Sequence, residues 1–241
     1  MHQSQADFVR LLSENFSEYF KNNRVLEVGS LDINGSIRGF FHDCTYVGLD
    51  VAEGKGVDVV CEGQNYDAPD SRFDVVISCE VMEHNPYWDE TFRNMVRLCR
   101  PGGLVVMTCA TNGRPEHGTS RTDPSLSPLT VELAWNYYRN LREKDFRRTV
   151  DFSRLFAVHR FWLNWNHYDL LFVGIKGSGL PEVQVPESWT LTTRAIDAWI
   201  VRESGLRVHR YRRLIAMIFG DRWFTIANRL SATLNWLHGV R

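Results

Sequence analysis

The chain has 241 residues, 44% of them apolar and 24% charged, with a formal net charge of −1. That length suits one large domain, or a domain of about 150–180 residues with an extension, and the composition is ordinary for a soluble globular protein. A net charge so near zero sets up no global basic field, so nucleic acid is disfavoured as a partner. The five cysteines, Cys44, Cys61, Cys79, Cys99 and Cys109, make no C-x-x-C pair, and reduced buried thiols are expected rather than a disulfide or metal framework. The opening stretch MHQSQADFVRLLSENF lacks the apolar core of a signal peptide, and no run of about 18 apolar residues occurs, so the cytoplasm is the expected compartment.

In chain order, Phe8, Leu11, Leu12, Phe16 and Phe20 repeat at helical spacing across residues 6–20. RVLEVGS (24–30) is a short apolar run ending in glycine and predicts a buried strand. SIRGFF (36–41) begins a helical turn. TYVGLDV (45–51), VDVVCEG (57–63) and FDVVISCE (73–80) predict three more strands. Trp88, Phe92, Met95, Val96 and Cys99 form one face of a helix, which Arg100-Pro101-Gly102-Gly103 stops. LVVMTCA (104–110) predicts a fifth strand. Residues 111–150 break this rhythm: a polar, turn-rich stretch, then a helical pattern around VELAWNYYRNLREKDF. Residues 155–165 and 169–177 read as a closing antiparallel pair. Strands that alternate with helices and are apolar on both faces predict a parallel sheet covered on both sides.

From Pro181 the composition shifts, and three amphipathic stretches follow at 190–203, 205–219 and 222–238. This tail carries nine arginines against five acids, interleaved with Trp189, Trp199, Trp223 and Trp236. The plain expectation is a helical cap or homodimer face with solvated arginines; peripheral contact with a membrane surface is the competing one.

Candidate site residues fall at successive strand ends. Glu27 and Gly29 close the first strand, with Ser30 and Gly35 in the following loop; Asp50 and Val51 close the second, Glu62-Gly63 the third, and Cys79-Glu80 the fourth. A glycine after the first strand lets backbone approach a ligand closely. An acid after the second can take both hydroxyls of a ribose, and one after the third can accept from the exocyclic amine of adenine. The series describes an adenosine lying across the strand tips.

On VLEVGS, YVGLDV, FDVVISCEVMEH and RLCRPGGLVVMT, the chain resembles class I S-adenosylmethionine-dependent methyltransferases of the type 11-like group, over roughly residues 20–177. The resemblance implies an α/β fold: a Rossmann-like, doubly wound sheet of seven strands, mostly parallel with an antiparallel last strand. It places a cofactor-binding domain at 1–180, with a substrate insert at 111–150, and a helical extension at 181–241. It implies S-adenosyl-L-methionine as cofactor, with Glu27, Gly29 and Gly35 flanking the methionine part, Asp50 on the ribose, Val51 packed on the adenine, and Glu62 and Gly63 at its edge. One departure stands out. The family motif is E/D-x-G-x-G, whereas Leu31 occupies the position of the second glycine and the loop at 30–34 is about two residues longer.

Transfer of a methyl group to a hydroxyl needs a proton acceptor, and His84 and His117 are the candidates near the tips of the fourth and fifth strands. His159 and His167 read as structural. Around His117, the segment GRPEHGTSRTD brings Arg114, Glu116, Arg121 and Asp123 together, a set suited to a polyhydroxylated ligand. TCATNGRPEHGTSRTD followed by YYRNL is similar to methyltransferases of bacterial glycan and natural-product clusters, which implies a small-molecule or glycan hydroxyl as acceptor. No set of metal ligands is apparent in the spacing, so a metal-independent enzyme is expected. Two competing functions remain. Asn85-Pro86-Tyr87 resembles part of the Asn-Pro-Pro-Tyr box of amino-group methyltransferases, which would make an amine, base or protein the acceptor. Its placement five residues beyond the strand tip instead favours a helix start, with Asn85 as N-cap and Pro86 in the first turn. The third reading is a non-catalytic cofactor-binding scaffold.

Overall fold

The computed structural model describes residues 3–178 and 183–203. Seven strands form one sheet: β1 Arg24–Val28, β2 Thr45–Asp50, β3 Val59–Val60, β4 Phe73–Cys79, β5 Cys99–Ala110, β6 Phe156–Asn164 and β7 Asp169–Lys176. Their order is β3-β2-β1-β4-β5-β7-β6. The first five pair in parallel, while β7 inserts antiparallel between β5 and β6. The doubly wound, mostly parallel seven-stranded fold expected from the sequence is thus the observed one. Strand order reverses between β1 and β4, and such a reversal opens a crevice at the carboxyl ends of the strands.

Successive side chains of a strand point to opposite faces, and here both faces are apolar. Leu26, Val76, Val105, Met107 and Phe172 face one cluster, which is closed by α2 (Trp88–Leu98), α4 (Glu143–Arg147) and α5 (Phe152–Leu155). Val25, Val75, Ile77, Val106 and Leu171 face the other, closed by α1 (Gln3–Asn15) and α6 (Ser188–Glu203). The first amphipathic stretch of the tail is α6. Its Trp199 stacks on Phe8 and its Ile196 is fully buried, so this helix belongs to the core of the sheet domain. The stretches at 205–219 and 222–238, with Trp223 and Trp236, lie outside the described residues. No described helix is long and apolar enough to cross a membrane.

Four local expectations need correction. The third strand is two residues long, not seven, because it pairs only with the end of β2 at the sheet edge. The helix α2 ends at Leu98, before Arg100–Gly103, and the chain enters β5 at Cys99, so that stretch lies within the strand. The insert helix expected over 131–146 breaks into α3 (Pro128–Glu132) and α4, since Ala134 and Asn136 take positive φ of 58° and 42°. Asn85 is not the residue before α2; that is Tyr87, which makes no side-chain cap. Asn85 acts one step earlier. Its Oδ1 accepts from the Tyr87 N–H at 2.8 Å and its Nδ2 donates to Thr91 Oγ1 at 2.8 Å. The residue still initiates the helix, as an Asx turn ahead of it.

Phe172 is fully buried on β7, with the rings of Phe92, Phe152, Phe156 and Phe161 at centroid distances of 4.7–5.7 Å. Phe172→Ala is expected to cost about 3–5 kcal/mol of unfolding free energy, measured in urea, because these rings are held by sheet and helices and cannot collapse into the space.

Candidate active site

At the carboxyl ends of β1, β2 and β4 lies a cleft with about 1190 Å³ of empty space, including its open mouth. Its floor is backbone. Gly29 leaves β1 at φ 84°, and its N–H and that of Ser30 donate to the Leu49 carbonyl. A Cβ on Gly29 would come within 2.0 Å of Val81 Cγ2, so a ligand can approach this turn only because no side chain is there. Leu31, where the family motif has glycine, directs its N–H to Asp50 Oδ2 at 2.9 Å, and Val51 N–H reaches Asp50 Oδ1 at 2.8 Å. The longer loop therefore fixes the Asp50 carboxylate and leaves each oxygen a further lone pair for a ligand hydroxyl.

Burial sets the protonation of the acids. Glu27 is 6% exposed. Desolvation pushes its carboxyl up to about 7, against the lowering effect of the Tyr46 hydroxyl that donates to Oε2 at 2.7 Å. Burial also raises Asp50, opposed by the Leu31 and Val51 N–H groups.

Every cofactor-binding and catalytic candidate from the sequence lines this cleft except Glu62. Glu27, Gly29, Ser30, Gly35, Asp50, Val51, Gly63, Cys79 and Glu80 stand on one side, and His84 and His117 at the far end. The Glu62 carboxylate is instead engaged by Gln64 Nε2 and Asn65 Nδ2 at 2.8 and 2.7 Å, and Cys61 takes its place on the wall. His159 packs among Phe152, Phe156 and Phe172, and His167 pairs with Glu203, both away from the cleft.

Although 33 residues separate them in sequence, the His84 and His117 rings meet at 4.9 Å edge to face, and Tyr138 packs on both at 5.5 and 4.9 Å. Gly118 makes this possible: at φ 64°, a Cβ there would lie 2.8 Å from His84 Cε1. Burial holds His84 down to about 3, with His117 and Arg114 adding to the effect, and burial also lowers His117. Both rings are therefore neutral near pH 7. His117 Nδ1 lies 3.0 Å from the Pro115 carbonyl, the tautomer that leaves its Nε2 with a lone pair.

The charged groups around His117 in the insert, Arg114, Glu116, Arg121 and Asp123, do not line the cleft. Glu116 accepts from Thr119 Oγ1 and Arg121 Nε, Asp123 caps Ser125, and Arg114 donates to the His167 carbonyl. The outer wall is made instead by Leu126–Thr130 and Trp135. These residues, together with Asn34 and Ser36, went unrecognised in the sequence because loop packing alone brings them to the site, while Asn85 was read there as a helix start. Glu83 also went unrecognised. It is fully buried, and a carboxylate oxygen and one ring nitrogen each of His84 and His117 lie within 4.8 Å of one another.

The methyltransferase domain family model matches residues 1–144. No curated protein is found to match. Among solved structures, the chain is similar to Burkholderia thailandensis 1,6-didemethyltoxoflavin-N1-methyltransferase, which carries bound 1,6-didemethyltoxoflavin and S-adenosylhomocysteine (13% identity, 73% of this chain and 79% of that chain, TM-score 0.51). It is also similar to Haemonchus contortus phosphoethanolamine N-methyltransferase 2, in complex with phosphomonomethylethanolamine and S-adenosylhomocysteine (15% identity, 71% of this chain and 53% of that chain, TM-score 0.52). The chain thus spans about half the length of the second of these. At such identities the likeness is one of fold.

Gly29→Ala is expected to destabilise the protein by more than the about 1–2 kcal/mol of a left-handed alanine, because its methyl also meets Val81. Adding Val81→Ala removes that clash; in a double-mutant cycle from urea unfolding, the pair is expected to cost less than the sum of the two single changes.

Proposed function

The chain belongs to the methyltransferase domain family, and on that premise we propose that it transfers a methyl group from S-adenosyl-L-methionine to a hydroxyl of a sugar, glycan or other hydroxylated small molecule. The observation that carries this reading is the junction, in one cleft, of strand-tip carboxylates with the neutral His84–His117 pair. When bound, the cofactor supplies an electrophilic methyl on a sulfonium, and the protein has to orient the acceptor and deal with its proton.

The residues suit that division. Asp50, fixed by two backbone N–H groups, takes the ribose hydroxyls, and Val51 and Gly63 border the adenine. Gly29 and Gly35 admit the methionine part, with Glu27 beside its cationic groups. His84 and His117 meet the reacting hydroxyl, and Trp135, Ser127 and Thr130 face the rest of the acceptor. No lysine or arginine lies among the described lining residues, which favours an uncharged hydroxylated acceptor over a phosphorylated one at the reacting end. Both functional atoms of the Asn85 side chain are engaged within the protein, which weighs against its use as a clamp for an amine.

Incubation with methyl-labelled S-adenosylmethionine and a panel of neutral sugars, phenols and amines tests this. Label in a base-stable ether, lost about 10²-fold or more in rate in His117→Ala, is the expected outcome; label confined to amines, or to no acceptor, contradicts it. A second check is the pH dependence of cofactor binding. Glu27 holds its proton below about 7, and a cation beside it favours the ionised form. Affinity is therefore expected to rise with pH up to about 7 and then level off, and Glu27→Gln to flatten the profile in calorimetric titrations.

A further inference from the structure

Beneath the His84–His117 pair, several carboxyl groups are buried together, and burial raises the pKa of each. Glu83 and Asp169 are fully buried, and the Glu80 carboxyl lies against that of Glu83, with Arg114 as the cation among them. Some of these groups are well satisfied. Asp169 accepts from Ser4 Oγ, Gln5 Nε2 and Arg114 Nη1, and Glu83 Oε1 accepts from the Ala110 N–H at 3.0 Å. Three buried atoms are less well met: Glu80 Oε2, Glu83 Oε2 and His84 Nδ1 find no donor, and the two carboxyls, both raised by burial, can meet each other only by sharing a proton. Unpaired buried polar atoms are rare and need a reason, and here two carboxylate oxygens and an imidazole nitrogen share one place.

We propose that Glu83, His84 and His117 hold a divalent first-row cation of the Mn2+, Co2+ or Zn2+ class at the inner end of the cleft, with Glu80 as the adjoining carboxylate. The ligand atoms of the three side chains lie within 4.8 Å of one another, so small side-chain rotations bring them to the about 2.0–2.2 Å of a coordination bond. Two imidazoles and a carboxylate select such cations over Mg2+ or Ca2+, which prefer all-oxygen shells. The contact of His117 Nδ1 with the Pro115 carbonyl is the outer-shell bond that orients a metal-ligating imidazole. His84 and His117 border the cleft while Glu83 lies behind them, so the open side of the cation faces the acceptor.

This rests on the reading of the two histidines as the acceptor's neighbours, and it changes their task from proton acceptors to ligands. The acceptor hydroxyl coordinates the cation through oxygen and loses its proton to solvent at a lowered pKa. The oxygen then forms the C–O bond as the C–S bond of the sulfonium breaks, leaving a neutral thioether. It also reverses the expectation of a metal-independent enzyme.

The test uses the full chain, stripped with chelator and titrated with Mn2+ alone, the free ion being followed by electron paramagnetic resonance. One saturable ion per chain is expected, with affinity falling at least tenfold in both Glu83→Gln and His117→Ala. His117 lies on the insert loop, so its variant serves even where loss of buried Glu83 impairs folding, which circular dichroism would report. Co2+ should show the visible bands of imidazole ligation, absent in His117→Ala. No saturable Mn2+ site, or equal binding by wild type and both variants, overturns the proposal. Cofactor and acceptor are both absent from the titration, so its result is independent of whether the acceptor is a hydroxyl. Hydroxyl methylation that persists undiminished under chelator overturns the cation's role and leaves the acceptor assignment standing.

Discussion

The burial of carboxyl groups at the carboxyl ends of the central strands is the constraint on which the site depends. Glu27 on β1, Glu80 and Glu83 after β4, and Asp169 at the start of β7 all sit at the same end of the sheet. In water each would be ionised. Desolvation raises every one of them. Such groups persist in a fold only if hydrogen bonds or opposite charges meet them. Tyr46 meets Glu27, the Ala110 N–H meets Glu83, and Ser4, Gln5 and Arg114 meet Asp169. What those partners leave unmet is Glu80 Oε2, on a residue that lines the cleft, and Glu83 Oε2 behind it.

The same bonds tie distant parts of the chain to the strand tips. Ser4 and Gln5 pin the start of α1, the Arg139 N–H donates to the Glu83 carbonyl, and the Leu141 N–H donates to that of Ala110. The insert is therefore held against β4 and β5 at two backbone points, and its turn at Gly118 lowers His117 onto His84. Sheet, N-terminal helix and insert converge on one small region. The reacting end of the cleft consequently rests on rigid elements, although most of its wall comes from loops.

Much of this was legible in the residues. Apolar runs ending in glycine or acid marked β1, β2 and β4, and the apolar run LVVMTCA marked β5, because strands buried on both faces must be apolar throughout. Gly29, Asp50, Glu80 and His84 stood out because a strand tip at a switch point is where ligands bind. The insert was less legible. Trp135 and Tyr138 match a helical pattern, but the backbone turns left-handed at Ala134 and Asn136, so Trp135 faces the cleft and Tyr138 the histidine pair. Glu62 fits an adenine-edge pattern, yet two neighbouring amides draw its carboxylate aside. Glu83 gave no local sign at all. A buried acid beside a histidine becomes chemically informative only once His117 is brought across from the insert, and that is a property of tertiary packing.

The account stands on a single continuous site in which the cofactor's sulfur faces the histidine pair. A crystal structure of the protein with S-adenosylhomocysteine tests this most directly. The account predicts the ribose on Asp50, the adenine between Val51 and Gly63, and the sulfur turned toward the space between His84 and His117. A product bound with its sulfur turned away from that pair, or seated outside this cleft, would contradict it.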